Sequence, residues 1–473
     1  MSNDSVDDSA HGGKLGPQGG EKAMMSDMYI HGNDVEGKPL QEDVITREAA
    51  SKSVLHMTAR LYADSPWEVG FNLIAGLDNA FILGYSFLIM SFLGWAAGSV
   101  LFIVGMCICF YCNCVTGTLH TLGGQRNIHF RDLARVGFGP RWYWAVWVDQ
   151  WLSLFCSDVG LFILAGESIK GTHDLYRTDA MTLPYWIITF GATYFVFAMC
   201  VPHLHGLRWW SSISCILVVV FMAVIFGVSI HDGRTTPARD FGIHDTTATG
   251  TFDAMGAIGS IAFAFNTVIL PELQVSLFHR LCCHSTTTSG AEFNYIVLPF
   301  TYIVGCFPWI ILSFVGYWAY GNGVAANLTD SLSGPSWAKA LAYMAAFFQI
   351  LVSLHFYACC IFESLESIWS RKNEGPNSLF NFMVRFLVRG SYVVLSTFVA
   401  CLLPFFGDFI SLTGSLCMMP LDLVLVLALF IKVRLPFKGH TMSAPFKIFN
   451  IALASLMAVT SIASSIAAVR YIV

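Results

Sequence analysis

An aspartate and an asparagine stand side by side in the middle of an apolar run, Asp78 and Asn79 within FNLIAGLDNAFILGYSFLIMSF at 71–92. A carboxylate at bilayer depth costs about 2.5–3.5 kcal/mol on insertion scales and is kept where it works. Asp78 is therefore a candidate to carry a coupling proton or to meet a cationic substrate. Its alternative is to accept backbone N–H bonds at a polar break. Gly76 and Gly84 flank the pair, and this mixture makes a poor unbroken helix. A second run at 253–277, DAMGAIGSIAFAFNTVILPELQVSL, has the same character. Small residues lead into Phe263, Ala264, Phe265, Asn266 and Thr267, and Pro271 follows.

A helix broken inside a membrane leaves free N–H groups where one half starts and free C=O groups where the other ends. Donors near Asn79, Ala80 and Phe81, and near Asn266 and Thr267, suit a carboxylate. Carbonyls near Gly76 and Leu77, and near Ala264 and Phe265, suit an ammonium. A free amino acid carries both charges. Phe81, Phe263 and Phe265 could close over its side chain or attract a quaternary amine. With 39 phenylalanines in the chain, plain packing is the alternative for any one of them.

Further titratable candidates lie outside the two runs. Asp149 and Asp158 are nine residues apart in one span, about 180° around a helix, so at most one lines the site. Asp158 is the deeper; it is a candidate for substrate binding or a paired structural acid. His355 could relay a proton near neutral pH or serve as a hydrogen-bonded packing histidine. Glu272 is a candidate for proton coupling or for a gate with Arg131 or Arg280, or else a solvated loop carboxylate. Glu363 and Glu366 are expected to pair with nearby Arg or Lys. Cys107, Cys109, Cys112 and Cys114 spread around a helix and do not converge on a metal. No metal, cofactor or nucleic-acid partner is expected, and no nucleotide-binding loop or nucleophile–base pair argues for an enzyme.

The elements that must position these residues are membrane helices. Of 473 residues 55% are hydrophobic and only 12% charged, about half the charge of a soluble domain. Repeated apolar runs of about 20 residues predict an all-α polytopic membrane protein, whose partner is the lipid bilayer. Residues 1–63 are rich in Gly, Asp, Ser and Lys and read as a disordered cytoplasmic tail. Residues 64–473 read as a transporter domain of about 11 spans, beginning with 67–89 and 93–119. Spans in 64–232 and 253–432 can form a five-plus-five inverted repeat, each half opening with a discontinuous helix (1 and 6), with 446–472 left as an extra helix. With the amino terminus in the cytoplasm, most Lys and Arg fall inside, and the carboxyl terminus is extracellular. Asn327, in Asn-Leu-Thr, is then a glycosylation candidate outside.

Several strings carry a likeness. They include GFNLIAGLDNAFILGYSFLIMSFLGW at 70–95, LHTLGGQRNIHFRDLA at 119–134, AFAFNTVILPELQ at 262–274, GYWAYG at 316–321, SLHFYA at 353–358 and LPFFGDFISLTGS at 403–415. The chain resembles the plant-type proline and compatible-solute transporters of the amino acid/auxin permease family from about residue 65 to its end. The resemblance implies a LeuT-like fold. It also implies proton-coupled import, at the plasma membrane, of proline, related amino acids, or solutes such as γ-aminobutyrate and glycine betaine. Asp78, Asp149, Asp158, Glu167 and Asp422 depart from the family pattern, which is uncharged there. These acids point to a cationic amino acid or an altered proton coupling. A non-transporting amino acid sensor, signalling through the tail, is the alternative from another class.

Overall fold

The computed structural model describes residues 74, 79–120, 130–179, 181–201, 207–235, 239–242, 248–265, 293–371, 378–404, 406–437 and 443–472. The regular structure among them is helical throughout. A 3₁₀ turn (Ala80–Gly84) and a π-helical stretch (Ser86–Ser91) lead into α1 (Phe92–His120). Then come α2 (Phe130–Phe138), α3 (Pro140–Asp174), α4 (Leu183–Cys200), α5 (Leu207–Thr235) and α6 (Ala248–Ala264). After α7 (Phe307–Tyr320) and a one-turn helix (Leu328–Ser331) follow α8 (Ser336–Trp369), α9 (Leu379–Leu402) and α10 (Phe406–Thr413). The chain continues through a π-helical stretch (Gly414–Leu425), α11 (Val426–Phe437) and α12 (Ala444–Ile472).

Among the described residues, 9 stretches are long and apolar enough to cross a membrane. The first, Ala80–Leu119, has 40 residues. At about 1.5 Å per residue it is roughly twice the thickness of a bilayer core. It is interrupted at Gly94, whose φ of 67° and ψ of 180° break the helix. That positive φ is open to glycine at no steric cost. The break falls at the second residue of the span expected at 93–119, close to its junction with the one expected at 67–89. α6 has 17 residues and ends at Ala264, in the middle of the run expected to be interrupted.

Burial sorts the helices into an inner and an outer set. In α8 89% of the apolar stretch is buried, and in α3 72%; in α4, α5, α9 and α12 the figure is 22–28%. A helix apolar all round is a buried helix or a lipid-facing one, and both kinds occur here. Val196, Val219, Val394, Phe398 and Val459 point outward from the outer set. α3 and α8 pack against each other and against the 3₁₀ turn that starts at Ala80. The two central helices also carry Asp158, Gln349, Ser353 and His355, all buried. Starts are set locally. Pro140 and Pro184 fall in the first turns of α3 and α4, where a missing N–H costs nothing. Ser378 accepts from the Asn381 N–H to cap α9. Pro420 lies inside the π-helical stretch, whose wide turns suit a residue that cannot donate.

Candidate functional site

Asn79 stands immediately before the 3₁₀ turn in an extended conformation, φ −124° and ψ 175°. Its Oδ1 accepts from the Phe81 N–H at 3.0 Å, as a helix cap does. Its Nδ2 donates to the Tyr357 hydroxyl at 3.1 Å. The next free donor, the Ala80 N–H, gives its hydrogen to Gln349 Oε1 at 3.0 Å. The Gln349 Nε2 donates in turn to Ser353 Oγ at 2.6 Å. The start of this segment is thus held by side chains of α8. Gln349, Ser353 and Tyr357 are spaced by four, so they form one polar stripe along an apolar helix. That spacing was visible in the sequence and is the signal by which Gln349 and Tyr357, missed there, could have been found.

Phe81 is the aromatic centre. Its ring meets Phe263 at 4.9 Å, edge on at 85°, and lies over Phe406 at 5.9 Å, stacked. Its close approach to α3 is at residue 160, a glycine. A Cβ there would come 3.1 Å from the Phe81 ring. Phe263 comes from the last turn of α6, so the ends of both expected breaks meet at this ring pair. Phe265 does not join them. It is fully buried in a second cluster, 5.1 Å from the Trp309 ring and 5.6 Å from Phe102, and its carbonyl accepts from the Tyr302 hydroxyl at 3.5 Å. Two residues along a helix separate faces by about 200°, which is why Phe263 and Phe265 part company. Ala80 and Ala264 are buried. Gly76, Leu77, Asp78, Asn266, Thr267 and Glu272 lie outside the described residues.

Asp158 lies fully buried on α3, two residues before Gly160. One oxygen, Oδ2, accepts from the Tyr392 hydroxyl of α9, and Oδ1 has no hydrogen-bond partner among the described residues. Asp149 lies half-buried on another face of the same helix. Tyr392 and Phe406 were not among the sequence candidates. Nothing in their local pattern separates them from the other aromatics.

His355 is buried and bonded on both sides. Nε2 lies 2.8 Å from the Val201 carbonyl and Nδ1 3.3 Å from the Tyr194 hydroxyl. A carbonyl only accepts, so Nε2 carries a hydrogen. The ring ties α8 to α4. Glu366 pairs with Arg389 at 2.8 Å and with Arg385 at 3.8 Å, as its position on α8 suggested.

Asn327 takes a role other than the expected one. It is only 1% exposed, and its Oδ1 accepts from the Thr329 N–H at 3.1 Å, capping the one-turn helix. The Asn-Leu-Thr string is a helix start here, and a glycan on this packed side chain has no room. Beside it, burial raises the Asp330 carboxyl above the usual carboxylate range, while a hydrogen bond from Tyr343 pulls the other way.

Residues 63–470 match the family described as Transmembrane amino acid transporter protein. The chain belongs to that family. Within it, GABA transporter 1 of Arabidopsis thaliana is 29% identical over 86% of this chain and 90% of its own length. Lysine histidine transporter-like 1 of the same plant is 25% identical, over 78% of this chain and 81% of its own. Among solved structures, that of MhsT in complex with L-phenylalanine aligns with a TM-score of 0.56 at 12% identity, over 86% of this chain and 99% of that one. This likeness concerns the fold alone. Together with the helical architecture it gives this amino acid transporter family member a LeuT-like arrangement. The protein is a multi-pass membrane transporter, not an enzyme.

Proposed function

We propose that the protein is a secondary active amino acid permease that imports proline or a related small amino acid or compatible solute, such as γ-aminobutyrate or glycine betaine, by alternating access. The observation that carries this reading is the capped break at Asn79, packed through Phe81 against Phe263 at the end of α6. A substrate carboxylate takes the place of the Gln349 amide oxygen at the Ala80 N–H and uses the donors of that turn. Phe81, Phe263 and Phe406 close over the rest of the molecule. The γ-aminobutyrate preference is supported by the name of the 29% identical relative. Proton coupling, eleven crossings, an inward amino terminus and the plasma membrane complete the reading. Gly76, Leu77, Asp78, Asn266, Thr267 and Glu272 retain their proposed places around the two breaks.

A second reading, a cationic amino acid permease, is favoured by the Asp158 oxygen that has no partner among the described residues and by the name of the lysine histidine transporter-like relative. Uptake of radiolabelled proline, γ-aminobutyrate, betaine and arginine by an uptake-deficient yeast, at two external pH values, separates them. The main reading expects ionophore-sensitive accumulation of one of the first three. Accumulation of arginine alone supports the second. Binding without uptake supports a sensor and overturns both.

A further inference from the structure

Buried charge outside the aromatic centre is distributed unevenly. Arg389 of α9 is fully buried, and its guanidinium is bonded to Glu366, to the Ala198 carbonyl and to the face of Phe362. Asp158 is as deeply buried, but its one side-chain donor among the described residues is Tyr392. Among the described residues, the other titratable groups in electrostatic reach of it are Tyr194 from α4 and Tyr357 and Cys359 from α8. None of these is a cation. The 3₁₀ turn packed on the same stretch of α3 contributes Asn79, Ala80 and Phe81, which do not titrate. An isolated buried carboxylate costs several kcal/mol, and the group escapes that cost by binding a proton. Its position is also the right one. Asp158 lies two residues before Gly160, against which Phe81 rests, and Tyr357, within its electrostatic reach, holds Asn79 at the break.

We propose that Asp158, bridged to Tyr392, is the carboxyl that takes up and returns one proton in each transport cycle. In the conformation described here it is the neutral acid. Opening to one side hydrates the pair and frees the proton; opening to the other lets a proton bind again. The O–H bond made on Asp158 from the outer solution is the one broken towards the inner solution, and no electrons are exchanged. His355, already bonded at both nitrogens, stays out of the relay. This rests on the reading of the chain as a proton-coupled permease.

The test uses the full-length protein in proteoliposomes containing a pH-sensitive dye. The probe is whichever of proline, γ-aminobutyrate, betaine and arginine the wild-type protein accumulates best. If the wild type accumulates none of them under a pH gradient, the permease reading itself fails, and this assignment with it. If it does, D158N is expected to lose accumulation about tenfold or more and to stop moving protons. Exchange of internal for external substrate, which needs no net proton, is expected to continue. Y392F removes the hydrogen bond that favours the charged carboxylate, so the alkaline limb of its uptake profile is expected to move to higher pH. D158E is expected to restore proton movement. Accumulation and a pH profile unchanged in D158N overturn the assignment. So does a switch of substrate preference with proton movement intact. Where D158N does not reach the membrane, an unmoved profile in Y392F overturns it and a shifted one supports it.

Discussion

Arg389 and Asp158 are both fully buried among the same helices, yet one is saturated and the other is not. Arg389 has a carboxylate, a carbonyl and an aromatic face. Among the described residues, Asp158 has a single phenolic donor and an oxygen without a partner. The first arrangement fastens α9 to α8 and α4, and loss of Glu366 leaves the buried guanidinium without its carboxylate. The second leaves room for a charge to come and go. Complete bonding marks a buried ion as framework, and incomplete bonding marks it as a place where chemistry happens.

The largest effect that sharpens this contrast is expected at Arg389. Arg389→Ala leaves Glu366 with only the more distant Arg385, at 3.8 Å, and takes the guanidinium from the Ala198 carbonyl, a loss of about 3–5 kcal/mol. The expected result is failure to yield monodisperse protein in detergent, whereas Asp158→Asn purifies normally. Equal instability of the two variants breaks the contrast. Next comes the ring at the centre. Phe81→Ala is expected to reduce uptake about tenfold or more at wild-type membrane levels, since it removes the contact with Phe263 and Phe406. Unchanged initial rates in a radiolabel assay contradict a substrate site there. A smaller change is expected at His355. His355→Gln keeps a donor for the Val201 carbonyl, so the pH profile of uptake should keep its midpoint while thermal stability falls by about 1–2 kcal/mol. A moved midpoint transfers the proton from Asp158 to this histidine. The smallest effect belongs to Asp330. Its carboxyl is raised in the folded state, so that state binds its proton more tightly than the unfolded chain and stability falls as pH rises through the raised value. Asp330→Asn should remove that fall and lift the melting temperature at neutral pH by about 2 °C, read by differential scanning fluorimetry.

Composition and apolar length made the membrane class and the helices legible, because lipid leaves the backbone few alternatives. The polar residues Asn79, Asp158 and His355 stood out for the same reason: each is conspicuous in an apolar run. Their roles were less legible. Whether His355 relays or packs depends on the Val201 carbonyl and Tyr194, which are distant in sequence. Phe263 and Phe265 looked equivalent until the helix put them on different faces. Asn327 looked like an exposed acceptor because Asn-x-Thr serves equally as a helix cap, and only its burial separates the two uses. Tyr392 and Phe406 carried no signal, since an aromatic in an aromatic-rich chain earns its place by what faces it.

Protection of one side chain by substrate tests the central claim most directly. Phe263→Cys in the full-length transporter is treated with a small thiol reagent, with and without the accumulated amino acid, and modification at position 263 is read by mass spectrometry. Substrate should slow labelling in proportion to its occupancy, with half-protection near the concentration that half-saturates uptake. Labelling that stays the same at saturating substrate, in protein that still transports, contradicts a binding site between the break at Asn79 and the end of α6.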